Sequence, residues 1–464
     1  MKALLVTPEI APWVREGVTG DVAAGLARAL QSAGAQVTVA LPDYPVFAGQ
    51  RALVRGRRRT LKFSFAGLTR HAVWTEARLD GQAVLLLEKP EYFDRAGLYG
   101  SRDTTYDDNF PRFLFFAAAA LEMAKSRSFD VVHAFDWPGA LVAALRAEGA
   151  PPVSLGLNDL VFQGLFPADQ FPQTGLPWED FGRFEFHGQM NVLKAGMLGA
   201  AAVVFPGERM SRAGQMPGTG CGLEGVAASV APKLHGILSG ADYDGWLDAR
   251  TPEARRRKVS ARRAWLSSMK LQPLEPEGML VVLPLAWCGG RGLDLLLPVL
   301  DRLMDWPLRL VVLGRPELSF APSLQLAALR HGGSFAVHTT DDVSVLRAAA
   351  GAADMVLVPE ALEPADSRLA CAMRAGAVPL AQFCPGLHEI VRDHDPAGEP
   401  GTGLVFYRHD PEALWDSFVR AFALRRGGMW DGLTARAAAT DFSWDGAGPR
   451  YAALFRHLVS GHAA

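Results

Sequence analysis

Glu363 is the residue of this sequence best placed to take part in a reaction. It follows Met355–Val358, a short apolar run without charges that predicts a strand buried on both faces. Leu369, Ala372 and Met373 then recur at helical spacing, so the predicted order is strand, loop and helix. Ligands of an open parallel sheet bind beyond the carboxyl ends of its strands, so this loop and its glutamate form a candidate active site.

The elements around this loop repeat an alternating α/β pattern. Near the N-terminus, residues 3–7 predict a strand, a helix is expected from about Asp21, and residues 37–41 predict the next strand. A second alternating series starts with a strand at residues 279–283. Because 464 residues exceed what one core usually serves, we expect two domains. The predicted bounds are 1–245 for the N-terminal domain, 246–277 for a linker, 278–440 for the C-terminal domain and 441–464 for a helix that crosses back.

Composition narrows the class of protein. A net charge of -2 with both signs mixed leaves no large basic field for nucleic acid. The four cysteines are far apart and form no CxxC pair, which favours reduced thiols in the cytoplasm and no structural zinc. The longest apolar run, residues 113–121, is shorter than the roughly 20 residues of a membrane span. We therefore expect a soluble intracellular protein without membrane contact.

Several stretches resemble the motifs of one family, the bacterial glycogen synthases and plant starch synthases. The Glu363-Pro364 loop, with the helix after it, resembles the family's Glu-Pro loop and helix, and PEIAPWVREGVTGDV at residues 8–22 resembles its N-terminal lysine and glycine signature. VVHAFDW at residues 131–137 resembles the strand that ends in His-x-His-Asp-Trp-His. NDLVFQGLFP at residues 158–167 resembles His-Asn-Leu-Ala-Tyr-Gln-Gly-Leu-Phe-Pro. Matches continue to DFSWDGAGPRY at residues 441–451, so the resemblance covers essentially the whole chain.

The resemblance implies a fold and a reaction. The fold is GT-B, an α/β arrangement of two doubly wound Rossmann-like domains that face each other across a cleft. The implied donor is ADP-glucose, and the implied acceptor is the non-reducing end of an α-1,4-glucan. The anomer is retained, and neither a cofactor nor a metal ion is expected.

The resemblance also implies three groups of site residues. The catalytic group is Glu363, Asp21 and Asn158. The nucleotide-sugar-binding group is Arg15, Gly17, Gly290, Arg291, Asp366, Ser367, Gly386 and Leu387. The acceptor or cleft group is Asp136, Trp137 and Gln163. Read without the resemblance, Gly17 and Gly20 favour a plain turn, and Arg291 is equally well explained as a surface arginine at a helix N-terminus.

Several donor-site positions differ from the family, and the differences leave two hypotheses open. Arg15 replaces a lysine, Asn158 a histidine, and Asp366 stands in the loop where an acid can cap its helix and repel a diphosphate. An amide at 158 can bind a hydroxyl but cannot take up a proton. One hypothesis is a working glucosyltransferase with an altered donor site. The other is a non-catalytic relative that binds glucan or a partner enzyme and regulates glycogen metabolism.

Overall fold

The computed structural model describes residues 1–101, 104–147, 149–285, 292–340, 342–359, 367–396 and 398–462. Two compact units divide the chain. Unit 1 contains Met1–Gly240 and Trp444–Ala464, and unit 2 contains Ala241–Ser443. Residues 246–277 fall within unit 2, and the final helix falls within unit 1.

Most of the strands have seven residues or fewer, and the two longest have 13 and 12 residues. They are β1 Lys2–Val6, β2 Gln36–Pro42, β3 Leu53–Phe65, β4 Leu68–Leu79, β5 Gln82–Glu88, β6 Gly100–Ser101, β7 Thr104–Thr105, β8 Val131–Phe135, β9 Val153–Gly156, β10 Leu165–Pro167, β11 Glu185–Phe186, β12 Gln189–Asn191, β13 Ala202–Phe205, β14 Leu234–Gly236, β15 Met279–Pro284, β16 Leu308–Leu313, β17 Phe335–His338, β18 Met355–Val358, β19 Val378–Gln382 and β20 Leu404–Phe406.

Helices alternate with strands in both units, as the sequence predicts, with exceptions that include the consecutive strands β3, β4 and β5 and three consecutive helices near the C-terminus. They are α1 Thr19–Ser32, α2 Pro90–Phe93, α3 Asn109–Ser126, α4 Asp136–Ala144, α5 Val192–Gly199, α6 Glu208–Ala213, α7 Glu224–Ser229, α8 Pro252–Ser268, α9 Leu293–Met304, α10 Ala321–Arg330, α11 Val343–Ala352, α12 Ser367–Arg374, α13 Pro411–Arg426, α14 Trp430–Ala439 and α15 Trp444–His462. Among these helices, as far as the structure describes them, none is long and apolar enough to cross a membrane.

Unit 1 is organised by a nine-stranded sheet in the order β14-β13-β9-β8-β1-β2-β5-β4-β3. Its strands run parallel from β14 to β5, and the β3–β4 hairpin adds two antiparallel strands at one edge. The central strands are apolar on both faces, and Leu4, Leu5 and Val132 are fully buried, because helices cover the sheet on either side. The result is a doubly wound layer with its own core.

Unit 2 is organised by a six-stranded sheet in the order β17-β16-β15-β18-β19-β20. All of its strand pairs are parallel. From β15, the strands β16 and β17 continue the sheet on one side, and β18, β19 and β20 continue it on the other. This is the strand order of a Rossmann fold. A separate apolar core that includes Val281, Leu357 and Phe418 supports this sheet.

Candidate active site

The order of strands in unit 1 reverses between β1 and β8, which are adjacent and parallel. In open α/β sheets, such a switch point leaves a crevice beyond the carboxyl ends of the strands, where ligands bind. The segments that leave β1, β8 and β9 at this end carry Arg15, Asp136 and Asn158 respectively. The topology therefore brings together residues that are far apart in the sequence.

Asp136 is the centre of a hydrogen-bonded cluster at this switch point. Its Oδ1 accepts the backbone N–H of Asn158 at 2.7 Å and that of Asp159 at 3.3 Å. Its Oδ2 accepts the Asn158 side-chain amide at 3.3 Å and the hydroxyl of Thr19. The Asn158 amide also lies 3.3 Å from the Thr19 hydroxyl oxygen. One carboxylate thus fixes the first turn of α1, the start of α4 and the segment after β9.

Both the backbone and the ionisation of Asp136 are unusual. Its φ of 54° lies in the left-handed region, which non-glycine residues seldom occupy and which is enriched at functional sites. Burial raises the pKa of the Asp136 carboxyl from 3.8 to about 6, against the hydrogen bonds from Thr19 and Asn158, which lower it. A group arranged only for stability would not combine these two costs, so the cluster is a candidate functional site.

The loop between β1 and α1 lies beside this cluster. Arg15 donates to Asp21 at 2.5 Å, and both side chains remain partly exposed. Glu9, which is 4% exposed, accepts the backbone N–H of Glu16 at 2.8 Å and that of Gly17 at 3.2 Å. Burial raises the pKa of Glu9 from 4.5 to about 7, and the nearby carboxylate of Asp136 adds to the rise. The loop is therefore held by one carboxylate and presents one cation.

Trp137 and Gln163 are both buried. The Trp137 ring packs 5.2 Å from Phe113 and 5.4 Å from Phe166, and the side chain is 8% exposed. The Gln163 amide donates to the carbonyls of Leu160 and Cys221, and its oxygen accepts from Asn191 at 2.6 Å. Both side chains are held by contacts within the protein, and their role toward an acceptor stays a prediction.

In unit 2, the predicted residues that are described lie at two helix starts. Ser367 is the first residue of α12. Gly386 precedes the short 3-10 helix Leu387–Glu389, and the N–H of Leu387 donates to the Cys384 sulfur at 3.3 Å. This loop follows β19 at the carboxyl end of the sheet, where Pro385 carries no N–H. The loop therefore offers backbone donors whose present partner is a thiol, a weak acceptor.

Four predicted residues, Glu363, Gly290, Arg291 and Asp366, lie outside the described residues. Within the described ranges, no group of three or more histidine, cysteine or acidic side chains is arranged to hold a metal ion.

The structure adds to the site two residues that sequence reasoning missed. Glu9 anchors the loop that carries Arg15, and Thr19 joins the Asp136 cluster. Both lie in the stretch after β1 that faces the switch point, and Glu9 stands three residues beyond the strand. Position after a central strand is the signal that could have found them.

Comparisons with known proteins agree with this fold. Residues 2–229 match the family model described as the starch synthase catalytic domain. The chain is 32% identical to glycogen synthase 2 of Geobacter sulfurreducens, over 98% of both chains. It is also 32% identical to the glycogen synthase of Myxococcus xanthus, over 99% of this chain and all of that one. The catalytic domain of starch synthase IV from Arabidopsis thaliana, solved with ADP and acarbose, superposes with a TM-score of 0.87 over 99% of both chains at 24% identity.

Two doubly wound units and these neighbours define a glycosyltransferase of the GT-B fold, which confirms the predicted fold class. Within that class, the chain belongs to the family of the glycogen and starch synthases. The resemblance read from the sequence is thereby confirmed.

Proposed function

We propose that the protein transfers glucose from ADP-glucose to the non-reducing end of an α-1,4-glucan. In this reaction the bond between glucose C1 and the diphosphate oxygen breaks, and a bond from C1 to the acceptor O4 forms. The acceptor hydroxyl loses its proton, and ADP leaves. The observation that carries the proposal is the Asp136, Asn158 and Thr19 cluster at the switch point of unit 1, in a chain aligned end to end with glycogen synthases.

The proposal gives each group in unit 1 a task. Arg15 places a cation beside the donor diphosphate, where it opposes the charge that develops as ADP leaves. Asn158 binds a hydroxyl of the donor glucose, since an amide both donates and accepts hydrogen bonds. Asp136 fixes the position of Asn158 by accepting hydrogen bonds from its backbone N–H and its side-chain amide. The pairing of Arg15 with Asp21 keeps the arginine oriented before the donor arrives.

In unit 2, the proposal relies on Glu363, Arg291 and the loop at residues 384–387. Glu363 is proposed to face the glucosyl carbon, and Arg291 to bind the donor diphosphate. The N–H groups of Gly386 and Leu387 are proposed to bind phosphate oxygens, exchanging the Cys384 sulfur for a charged acceptor. Gly290, Asp366 and Ser367 are proposed to border the same ligand.

The test offers purified protein a glycogen primer with ADP-[14C]glucose and, separately, with UDP-[14C]glucose. Labelled glycogen from ADP-glucose, lost in Glu363→Ala and kept in Glu399→Ala, is the expected result. Glu399 is a matched control because it is an exposed glutamate of unit 2. Label from UDP-glucose alone would replace the proposed donor. No label with either donor, from folded protein, would overturn transfer and leave a glucan-binding, non-catalytic role.

We also propose that the protein works in the cytoplasm without nucleic acid as a partner. Cys221 and Cys384 are thiols that form no disulfide among the described residues, which fits a reducing compartment. Fractionation of cells that express a tagged chain would contradict this location if the tag appeared outside the cytosolic fraction.

A further inference from the structure

Glu9 is a buried carboxylate with two backbone donors and no part in the proposed chemistry. Its Oε2 accepts the N–H groups of Glu16 and Gly17, and the Tyr99 hydroxyl lies 3.4 Å from Oε1. Its own backbone is fixed as well, because the Thr7 hydroxyl donates to the Glu9 carbonyl at 2.8 Å and accepts the Glu9 N–H at 3.1 Å. The side chain therefore joins the rigid end of β1 to the tip of the next loop.

The loop tip has two different sides. The N–H of Gly17 points to Glu9, whereas a Cβ built on Gly17 would meet nothing within 4 Å. The space next to the Gly17 Cα is therefore open, whereas its N–H group points into the protein. Arg15 is attached directly before the two anchored peptide groups, so the same anchor sets the origin of its side chain.

We propose that Glu9 is a positioning residue for donor binding: its carboxylate fixes the backbone of Glu16 and Gly17 and thereby places Arg15 for the diphosphate of the donor. This inference rests on the proposed function, since it concerns the same donor. Glu9 touches neither the donor nor the reacting atoms in this account, and it acts through Arg15.

The charges around Glu9 argue against a purely structural role. The carboxylates of Asp136, at the start of α4, and Glu16, in the loop, repel the carboxylate of Glu9. The neutral hydroxyls of Tyr99, which donates to it, and Tyr44 also face it, so none of these neighbours brings a positive charge to Glu9. Its pKa of about 7 means that ionisation is costly in the folded protein. A glutamine would hold the same two N–H groups without that cost, so stability alone does not explain the carboxylate.

What ionisation adds is strength, because hydrogen bonds to a carboxylate are shorter and stronger than those to a neutral oxygen. Above its pKa the ionised Glu9 holds the loop firmly, and below its pKa the protonated group holds it weakly. Glu9→Gln should therefore resemble the low-pH form of the wild type at every pH.

The experiment measures the affinity for ADP by calorimetry at about pH 6 and about pH 8, and amide hydrogen exchange of residues 15–18 without ligand. For Glu9→Gln, we expect ADP binding about 10-fold weaker than wild type near pH 8 and within about 2-fold near pH 6. Comparing the two proteins at each pH cancels the titration of ADP itself. Exchange at Glu16 and Gly17 should rise about 10-fold near pH 8.

Glu185→Gln is the matched control, because Glu185 accepts the N–H of Gly188 at 3.0 Å in a different loop of unit 1. It should leave both measurements unchanged. Glu9→Asp, which keeps the charge but is one methylene shorter, should weaken ADP binding at both pH values.

Three results would overturn the inference. The first is ADP affinity in Glu9→Gln equal to or tighter than wild type near pH 8. The second is faster exchange of the loop without any change in ADP affinity, which would make the anchor structural only. The third is a wild type that does not bind ADP. ADP binding that depends on Glu9, in a protein that transfers no glucose, would instead remove the proposed function and keep the role of Glu9.

Discussion

Two loops at the carboxyl ends of parallel strands, one in each unit, hold their backbone N–H groups in different ways. After β1, a carboxylate, Glu9, accepts two N–H groups of the loop. After β19, a thiol, Cys384, accepts the N–H of Leu387. A carboxylate is a strong acceptor and a thiol is a weak one, so the first loop is fixed in advance and the second can exchange its partner for an anion.

The difference separates two kinds of donor-site residue. In the first loop the useful group is the Arg15 side chain, because the neighbouring N–H groups are already occupied. In the second loop the useful groups are the N–H groups themselves. A sequence motif shows glycine in both loops and does not separate these cases, whereas the acceptor atom within reach of each amide does.

The largest effect is expected at the cation of the first loop. Arg15→Ala should lower kcat/KM for ADP-glucose about 10²-fold, since preorganised charge that meets a leaving diphosphate has this order of effect. Arg57→Ala, at an exposed arginine of β3, should leave kcat/KM unchanged. Initial rates of transfer to glycogen measure both, and equal rates for the two variants would remove Arg15 from the donor site.

A smaller effect, on stability, is expected at Asp136. Its folded pKa of about 6 exceeds the ordinary 3.8, so its contribution to stability is full below about pH 4 and is lost as the pH rises through 6. Asp136→Asn should therefore raise the free energy of unfolding by about 1 kcal/mol near pH 8, and it should flatten the pH dependence between about 4 and 6. Urea unfolding at several pH values measures both effects.

Asp108→Asn is a control for which we expect a change in stability of the opposite sign. The Arg95 guanidinium pairs with Asp108 and lowers the pKa of that carboxyl, so its contribution is present above the unfolded pKa and is lost as the pH falls. This variant should lower stability near pH 8. If Asp136→Asn behaved in the same way, Asp136 would be a stabilising residue, and the argument for its function from strain and burial would fail.

The smallest effect is expected in the second loop. Cys384→Ser should change the affinity for ADP by less than about 3-fold, because a hydroxyl and a thiol are both neutral acceptors that a phosphate can displace. Cys221→Ser, at an exposed free cysteine, should change nothing. Calorimetry that showed more than a 10-fold loss for Cys384→Ser would make the sulfur itself part of the site.

Apolar runs in the sequence predicted the central strands well. The sequence predicted the polar cluster around Asp136 only in part. Met355–Val358 has the predicted bounds, and the strand predicted at residues 279–283 extends by one residue to Pro284, because buried parallel strands are continuously apolar. Helix α1 was expected from about Asp21 and begins at Thr19, whose hydroxyl donates to Asp136, a residue 117 positions away. Such a partner depends on which strands are neighbours, and one sequence does not contain that information.

The comparison of the two loops can be tested in one experiment, amide hydrogen exchange of the wild type with and without ADP. We predict that ADP slows exchange at Gly386 and Leu387 by a larger factor than at Glu16 and Gly17, whose N–H groups are already held by Glu9. Stronger protection of Glu16 and Gly17, or no protection of either loop, would contradict this prediction.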